Sequence, residues 1–129
     1  HANYLFNNIL HDSYEHPVYK DFIKKVQSYV QEHLSDSNLS LKWIANEILY
    51  MNSGYLSKLF SKEMEENFSQ YLMRRRMEKA KEIIEYSASA KIYEIATKVG
   101  MGNNPQYFSQ LFKRHTGMTP SEYKNQTIS

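Results

Sequence analysis

The 129-residue chain contains no cysteine. A disulfide framework, thiol catalysis and thiolate zinc sites are therefore excluded, while the redox state of its compartment stays open. Glycine and proline are scarce, at four and three. That argues against a loop-rich all-β fold and against a glycine-rich phosphate cradle. No apolar run approaches the roughly 20 residues a membrane span needs, and no signal-like segment opens the chain. Strong charge of one sign is also missing, since the formal net charge is only +2. Residues 1–52 carry four lysines against six acids, and residues 53–129 carry twelve basic residues against eight acids. This asymmetry permits a nucleic-acid partner without announcing one. There is no Ser/His/Asp arrangement, paired carboxylate or P-loop, so neither an enzyme nor a cofactor is expected. His11, Asp12, Glu15 and His16 have the residue types of a metal site. A spacing of five on a helix separates the two imidazoles, so a solvated tail is expected and no metal.

What remains is an ordinary globular composition, 41% hydrophobic and 23% charged, enough for one domain or two very small lobes. Apolar spacing is helical almost throughout. Val18, Phe22, Val26, Tyr29 and Val30 form the stripe of a first helix, which fades at Leu34 into a polar stretch. Leu41, Ile44, Ala45 and Ile48 give a short second helix, and Leu56, Leu59, Phe60 and Met64 a third. A long helix follows over about residues 69–86, with Met73, Met77, Ala80 and Ile84 on its apolar side. Ile92, Ile95, Ala96 and Val99 mark a fifth, stopped by Gly100; Phe108, Leu111 and Phe112 mark a sixth. Thr119-Pro120 opens a short last one carrying Tyr123, as an N-cap with proline at the first helical position. The fold class is all-α, with about seven helices.

The chain repeats itself. Ile44-Ala45 recurs as Ile95-Ala96 at a shift of 51, and Tyr55–Lys62 recurs as Tyr107–Arg114 at a shift of 52. One extra residue in the second turn accounts for the difference. Two copies make a duplicated lobe, not a solenoid.

A short helix, a tight turn and a second helix with a bare polar face is the helix-turn-helix arrangement. Small Ala45 and Ala96 let helices cross closely, and Gly100 can take the positive φ of a sharp turn. In the first copy that place is Leu49, so its turn must solve the geometry differently. Beside its apolar stripe, the third helix shows Ser53, Gly54, Ser57, Lys58, Ser61 and Lys62; the sixth shows Asn104, Gln106, Ser109, Gln110, Lys113 and Arg114. These side chains can bond base edges or hold phosphate, with almost no acid among them. Gly54, Ser57, Lys58, Gln106, Ser109 and Gln110 are assigned to base reading, and Asn52, Ser53, Lys62, Asn104, Lys113 and Arg114 to phosphate. The long helix spans about 27 Å, comparable with the roughly 34 Å between neighbouring major-groove sites on one face of B-DNA.

Residues from about Phe22 to Lys124 resemble the AraC/XylS-type DNA-binding domain of transcriptional regulators. The more specific stretch carries Gly100, Tyr107-Phe108-Ser109, Phe112-Lys113, Gly117 and Pro120-Ser121-Glu122-Tyr123, and Arg76 and Ala80 match the family's linker-helix pattern. Glu65 stands where many members have glycine, Met101 where an aromatic is common, and one extra residue sits at Gly102–Asn104. The resemblance implies two helix-turn-helix subdomains joined by a long linker helix, spanning two major-groove segments of a promoter. Carried over by position, it sets Gly54, Lys58, Gln106 and Gln110 on the base-reading parts of the recognition helices.

The expected organisation is a linker or tail over 1–17 from an absent regulatory domain, a first lobe over 18–67, a linker helix over 68–86, and a second lobe over 87–129. Expected partners are double-stranded DNA and, for the full-length protein, RNA polymerase, with no membrane; oligomerisation is expected mainly through the absent N-terminal domain, in a bacterial cytoplasm. Arg76 is read as structural, bridging the lobes, and Arg74 and Arg75 as solvated or weakly steering, since three consecutive residues fan around a helix. The pairs Tyr55/Tyr107 and Tyr71/Tyr123 are read as half-buried packing residues, and Trp43 as packing in preference to phosphate contact. The competing reading is a helical protein-interaction module that kept the fold and lost DNA.

Overall fold

A computed structural model of the chain describes residues 17–128. The histidines and acids at 11–16 lie outside them. Among the described residues there are seven α-helices, one π-helical stretch and no strand, as the all-α expectation requires. Two compact units form: residues 17–32 with 40–70, and residues 33–39 with 71–128.

In the first unit, α1 (Pro17–Glu32) buries Tyr19, Ile23, Val26 and Val30. The expected stripe is therefore corrected by one position at its start: Val18 is 47% exposed, and Phe22 is only half-buried. Val18/Tyr19 and Phe22/Ile23 are adjacent apolar pairs about 100° apart on the helix, so spacing alone does not choose between their members. Packing does. The Tyr19 ring meets Tyr55 edge-on at 6.2 Å, and the Gln27 amide donates to Met64 Sδ at 3.5 Å. Those partners belong to α3 (Ser53–Met64), which buries Leu56, Leu59 and Phe60.

Between them, α2 (Leu41–Trp43) starts at Ser40, whose Oγ accepts the Trp43 amide at 3.1 Å. It runs directly into a π-helical segment, Ile44–Leu49. The α-helix expected through Ile48 is thus widened by one residue. Ile44 and Ala45 stay buried, but Ile48 turns outward to 39% exposure, which corrects its place in the stripe. Tyr50 follows in the left-handed region at φ 51.

The second unit's core joins Met77, Ala80 and Ile84 of α4 (Phe68–Tyr86) to Ile95, Ala96 and Val99 around α5 (Ile92–Lys98) and to Phe108, Leu111 and Phe112 of α6 (Pro105–Thr116). The last helix, α7 (Pro120–Ile128), lays the Tyr123 ring edge-on to Phe112 at 5.6 Å. Leu34 and Leu39, which flank the polar stretch 35–38, are buried; their segment counts with this unit.

The two copies close their first helices in related ways. The Ala45 carbonyl accepts from the Met51 amide at 2.9 Å, and the Ala96 carbonyl from the Met101 amide at 2.8 Å. The first closure spans one residue more, and the π-helical segment absorbs it. The left-handed residue is Tyr50 in one copy and Gly100 in the other. The N-cap Asn52 lies two positions after Tyr50, and the N-cap Asn104 four positions after Gly100. The register difference is therefore the net of two changes, not one extra residue in one turn.

Reciprocal capping also repeats at a shift of 52. Asn67 and Gln70 exchange amide-to-side-chain bonds of 3.0 and 2.8 Å, as Thr119 and Glu122 do at 2.8 and 3.1 Å. The Thr119 amide and hydroxyl hold the Glu122 carboxyl below the usual carboxylate range. The helices before these boxes end on Glu65 (φ 58) and Gly117 (φ 86). A left-handed non-glycine costs about 1–2 kcal/mol, and an acid at a helix C-terminus opposes the dipole. Glu65→Gly is therefore expected to stabilise the fold by about 0.5–1 kcal/mol after the entropy glycine adds to the unfolded chain. Chemical denaturation checks this; a lower midpoint would refute it.

Candidate nucleic-acid interface

Asn52 and Asn104 fix where the two polar helices begin. Each Oδ1 accepts an amide three residues on, from Tyr55 at 2.8 Å and from Tyr107 at 3.0 Å. The geometry follows from the Asn side chain reaching the free amides of a helix's first turn. It also narrows what these two residues can offer a ligand: Oδ1 is committed, so Nδ2 is the side-chain group left to donate.

From these caps the polar positions correspond one to one. Gly54, Ser57, Lys58 and Lys62 on α3 stand where Gln106, Ser109, Gln110 and Arg114 stand on α6. All are exposed except Ser109, which is half-buried; Ser53 is half-buried and Lys113 exposed. Gly54 has a further local reason. A Cβ there would come within 3.2 Å of Asn52 Oδ1, so glycine leaves room for the cap.

The triple arginine divides as residue geometry demands. Arg74 and Arg75 reach the same carboxylate, Glu78 Oε1, at 3.5 and 2.8 Å, and Arg74 lies 5.4 Å from the Tyr71 ring centre. Arg76 is buried, 7% exposed, and its Nη2 donates to the Asp36 carbonyl at 2.7 Å. Burial lowers its pKa, and the charge of Asp36 partly offsets that. Its Nε has no hydrogen-bond partner among the described residues.

The tyrosine pairs do not behave alike. Tyr55 is half-buried and Tyr71 fully buried. Tyr123 is half-buried and its hydroxyl donates to Glu85 at 3.0 Å; desolvation, then Glu85, raises its pKa. Tyr107 is 47% exposed. The half-buried reading is thus corrected for Tyr71 and Tyr107. Phe108, next to Tyr107, takes the core position, whereas Tyr55 has Tyr19 of α1 to pack on. The Trp43 ring lies tilted against Tyr29 at 5.6 Å yet stays 46% exposed, so packing holds only part of it. Sequence reasoning passed over Tyr50, which is 83% exposed two residues before the α3 cap; no periodic signal marks it. No helix among the described residues is long and apolar enough to cross a membrane.

Two units, each presenting a capped helix with a polar, acid-poor face after a tight turn, define a protein of the helix-turn-helix class. Comparison with known proteins narrows the class. A family described as a helix-turn-helix domain matches residues 45–126. The chain is 45% identical over 102 residues to the transcriptional regulatory protein YesN of Bacillus subtilis strain 168, covering 79% of this chain and 28% of that protein. It is 27% identical over 109 residues to the arabinose operon regulatory protein of Escherichia coli K12, covering 84% and 36%. Among solved structures it is similar to the C-terminal domain of AraT, a response regulator from Geobacillus stearothermophilus, at TM-score 0.75 and 35% identity, covering 81% of this chain and 84% of that one. A DNA-binding transcriptional dual regulator from Escherichia coli K-12 gives TM-score 0.72 at 28% identity, covering 82% and 91%. The chain belongs to the AraC/XylS-type family of helix-turn-helix transcription regulators. It spans less than half the length of these curated relatives, 28% of YesN and 36% of the arabinose operon regulatory protein.

Proposed function

We propose that this chain is the output part of a transcription regulator and reads double-stranded DNA sequence-specifically, with α3 and α6 each entering a major-groove segment. The observation that carries the reading is the recurrence of one largely exposed set of positions behind two asparagine caps that make the same hydrogen bond. Lys58, Gln106 and Gln110 have the donor groups for base edges, Gly54 admits close approach, and Ser57 and Ser109 add short hydroxyls. Lys62, Lys113 and Arg114 would hold phosphates, with Ser53 and the Nδ2 groups of Asn52 and Asn104. Between the two reading helices in the chain lies α4, 19 residues long and so about 28 Å. A length of that order suits consecutive major-groove segments. Arg76 keeps a structural role in this reading. The lobe and linker boundaries expected from sequence, 18–67, 68–86 and 87–129, are kept as its working division.

Signal reception and oligomerisation are assigned to other parts of a longer regulator, with 1–17 as the linker, and RNA polymerase to its partners in a bacterial cytoplasm. The short length matched in the curated relatives supports this division.

Selection of bound duplexes from a random library tests the proposal. A protected site of about two helical turns is expected; a site of one turn would confine reading to a single unit. Within the selected site, Lys113→Ala is expected to weaken all sequences about equally and to lower the salt slope by about one. A titration of affinity against salt checks this, and an unchanged slope would remove Lys113 from the phosphate set.

A further inference from the structure

We infer that Tyr50 is a further DNA-contacting residue, its hydroxyl donating to a backbone phosphodiester oxygen beside the groove that α3 enters; this rests on the groove reading above. The two copies differ in the residue that makes this turn. Each first helix ends on a left-handed residue, Gly100 in the second unit and Tyr50 in the first. Gly100 is buried, and a Cβ on it would lie 2.6 Å from the Leu34 carbonyl oxygen. No side chain fits there. The first unit's turn faces outward instead, and Tyr50 is 83% exposed.

A tyrosine on that turn is unfavourable twice over. The left-handed conformation suits glycine or asparagine and strains a large side chain. Exposure of most of an aromatic ring forgoes the burial that usually makes tyrosine useful to a fold. Its hydroxyl has no hydrogen-bond partner among the described residues, although Tyr123 finds one in Glu85. Strain of this kind, kept at one residue and not relieved, points toward function when it sits next to a site. The site is adjacent: two residues on, Asn52 caps α3, and Gly54 and Lys58 follow on its exposed face. Recognition helices approach base edges with their N-terminal residues, so an exposed side chain two residues before the cap is placed to meet the sugar-phosphate rim. Tyrosine hydroxyls are among the groups that bond phosphate there. The π-helical segment Ile44–Leu49 supplies the extra residue by which this turn differs from the second.

The test uses Tyr50→Gly and Tyr50→Phe in the whole chain, on the duplex selected by the parent. Tyr50→Gly is expected to melt about 2–4 °C higher, because strain is relieved, yet to bind about three- to tenfold more weakly. Opposite signs of stability and affinity are what a merely structural tyrosine would not produce. Tyr50→Phe is expected to melt unchanged and to bind as weakly as Tyr50→Gly. Both losses should be similar across sequences and leave the salt slope unaltered, since a neutral hydroxyl displaces no counterion. Parent-like binding by Tyr50→Phe overturns the inference. If Lys58→Ala loses affinity while both Tyr50 variants bind like the parent, this inference alone fails. If no duplex is selected by the parent at low salt, the groove reading itself fails.

Discussion

Gly100→Ala is expected to lower the stability of the fold by about 2–5 kcal/mol, because two independent costs add. Gly100 has φ +79, and an alanine held there costs about 1–2 kcal/mol. The added Cβ would also stand 2.6 Å from the Leu34 carbonyl oxygen and 2.8 Å from Arg76 Nη2. Neither atom yields cheaply. One is backbone of the segment packed into this unit, and the other belongs to a buried guanidinium bonded to the Asp36 carbonyl. Overpacking of this kind adds about 1–3 kcal/mol. Gly117→Ala is the matched control: φ is +86, but nothing lies within 4 Å of its Cβ position, so only the conformational cost of about 1–2 kcal/mol applies. Urea denaturation of the two variants measures the difference. Equal losses would show that the Leu34–Arg76 backing is not rigid.

Lys58→Ala is expected to cost about 1–3 kcal/mol on the preferred duplex, with specificity relaxed at one or two base pairs. Lys58 is exposed and lies one turn beyond Gly54 on the same side of α3. Four residues advance the helix by about 400°, so the two positions share a face. Removing a base-edge hydrogen bond there should hurt the cognate site far more than a random duplex, whose binding rests on phosphates. Gln110 occupies the corresponding position on α6, and Gln110→Ala should behave likewise at different base pairs. The decisive measurement is the ratio of cognate to random affinity. If Lys58→Ala weakened both alike, Lys58 would belong with the phosphate-binding residues.

Much of this is legible from the amino-acid order. Leu59-Phe60 and Leu111-Phe112 are adjacent pairs whose members both end up inside, and with Leu56 and Phe108 they make stripes readable from spacing, whereas the neighbouring Tyr55 and Tyr107 stay half-buried and exposed. The paired asparagines ahead of both helices are equally open to view, because a cap acts over three residues and needs no distant partner. Where apolar residues stand side by side, as at Val18-Tyr19 and Phe22-Ile23, the choice passes to the neighbour each can meet. Leu34 and Leu39 flank a polar stretch, and no local period can announce a leucine whose partners are far along the chain. The π-helical segment hides for another reason. Its Ile44, Ala45 and Ile48 carry the same spacing as an α-helix, and one added residue shifts only the end of the pattern.

The primary structure by itself determined an all-helical chain, its duplication and the chemistry of the two polar faces, because helical periodicity, capping and side-chain type act within a few residues of one another. The tertiary structure decided which of two adjacent stripes goes inside, that Tyr50 and not Leu49 makes the first turn, and that Gly100 has no room for a side chain. Those outcomes depend on atoms separated by tens of residues, such as Leu34 and Gly100, whose approach is set by packing of the whole unit.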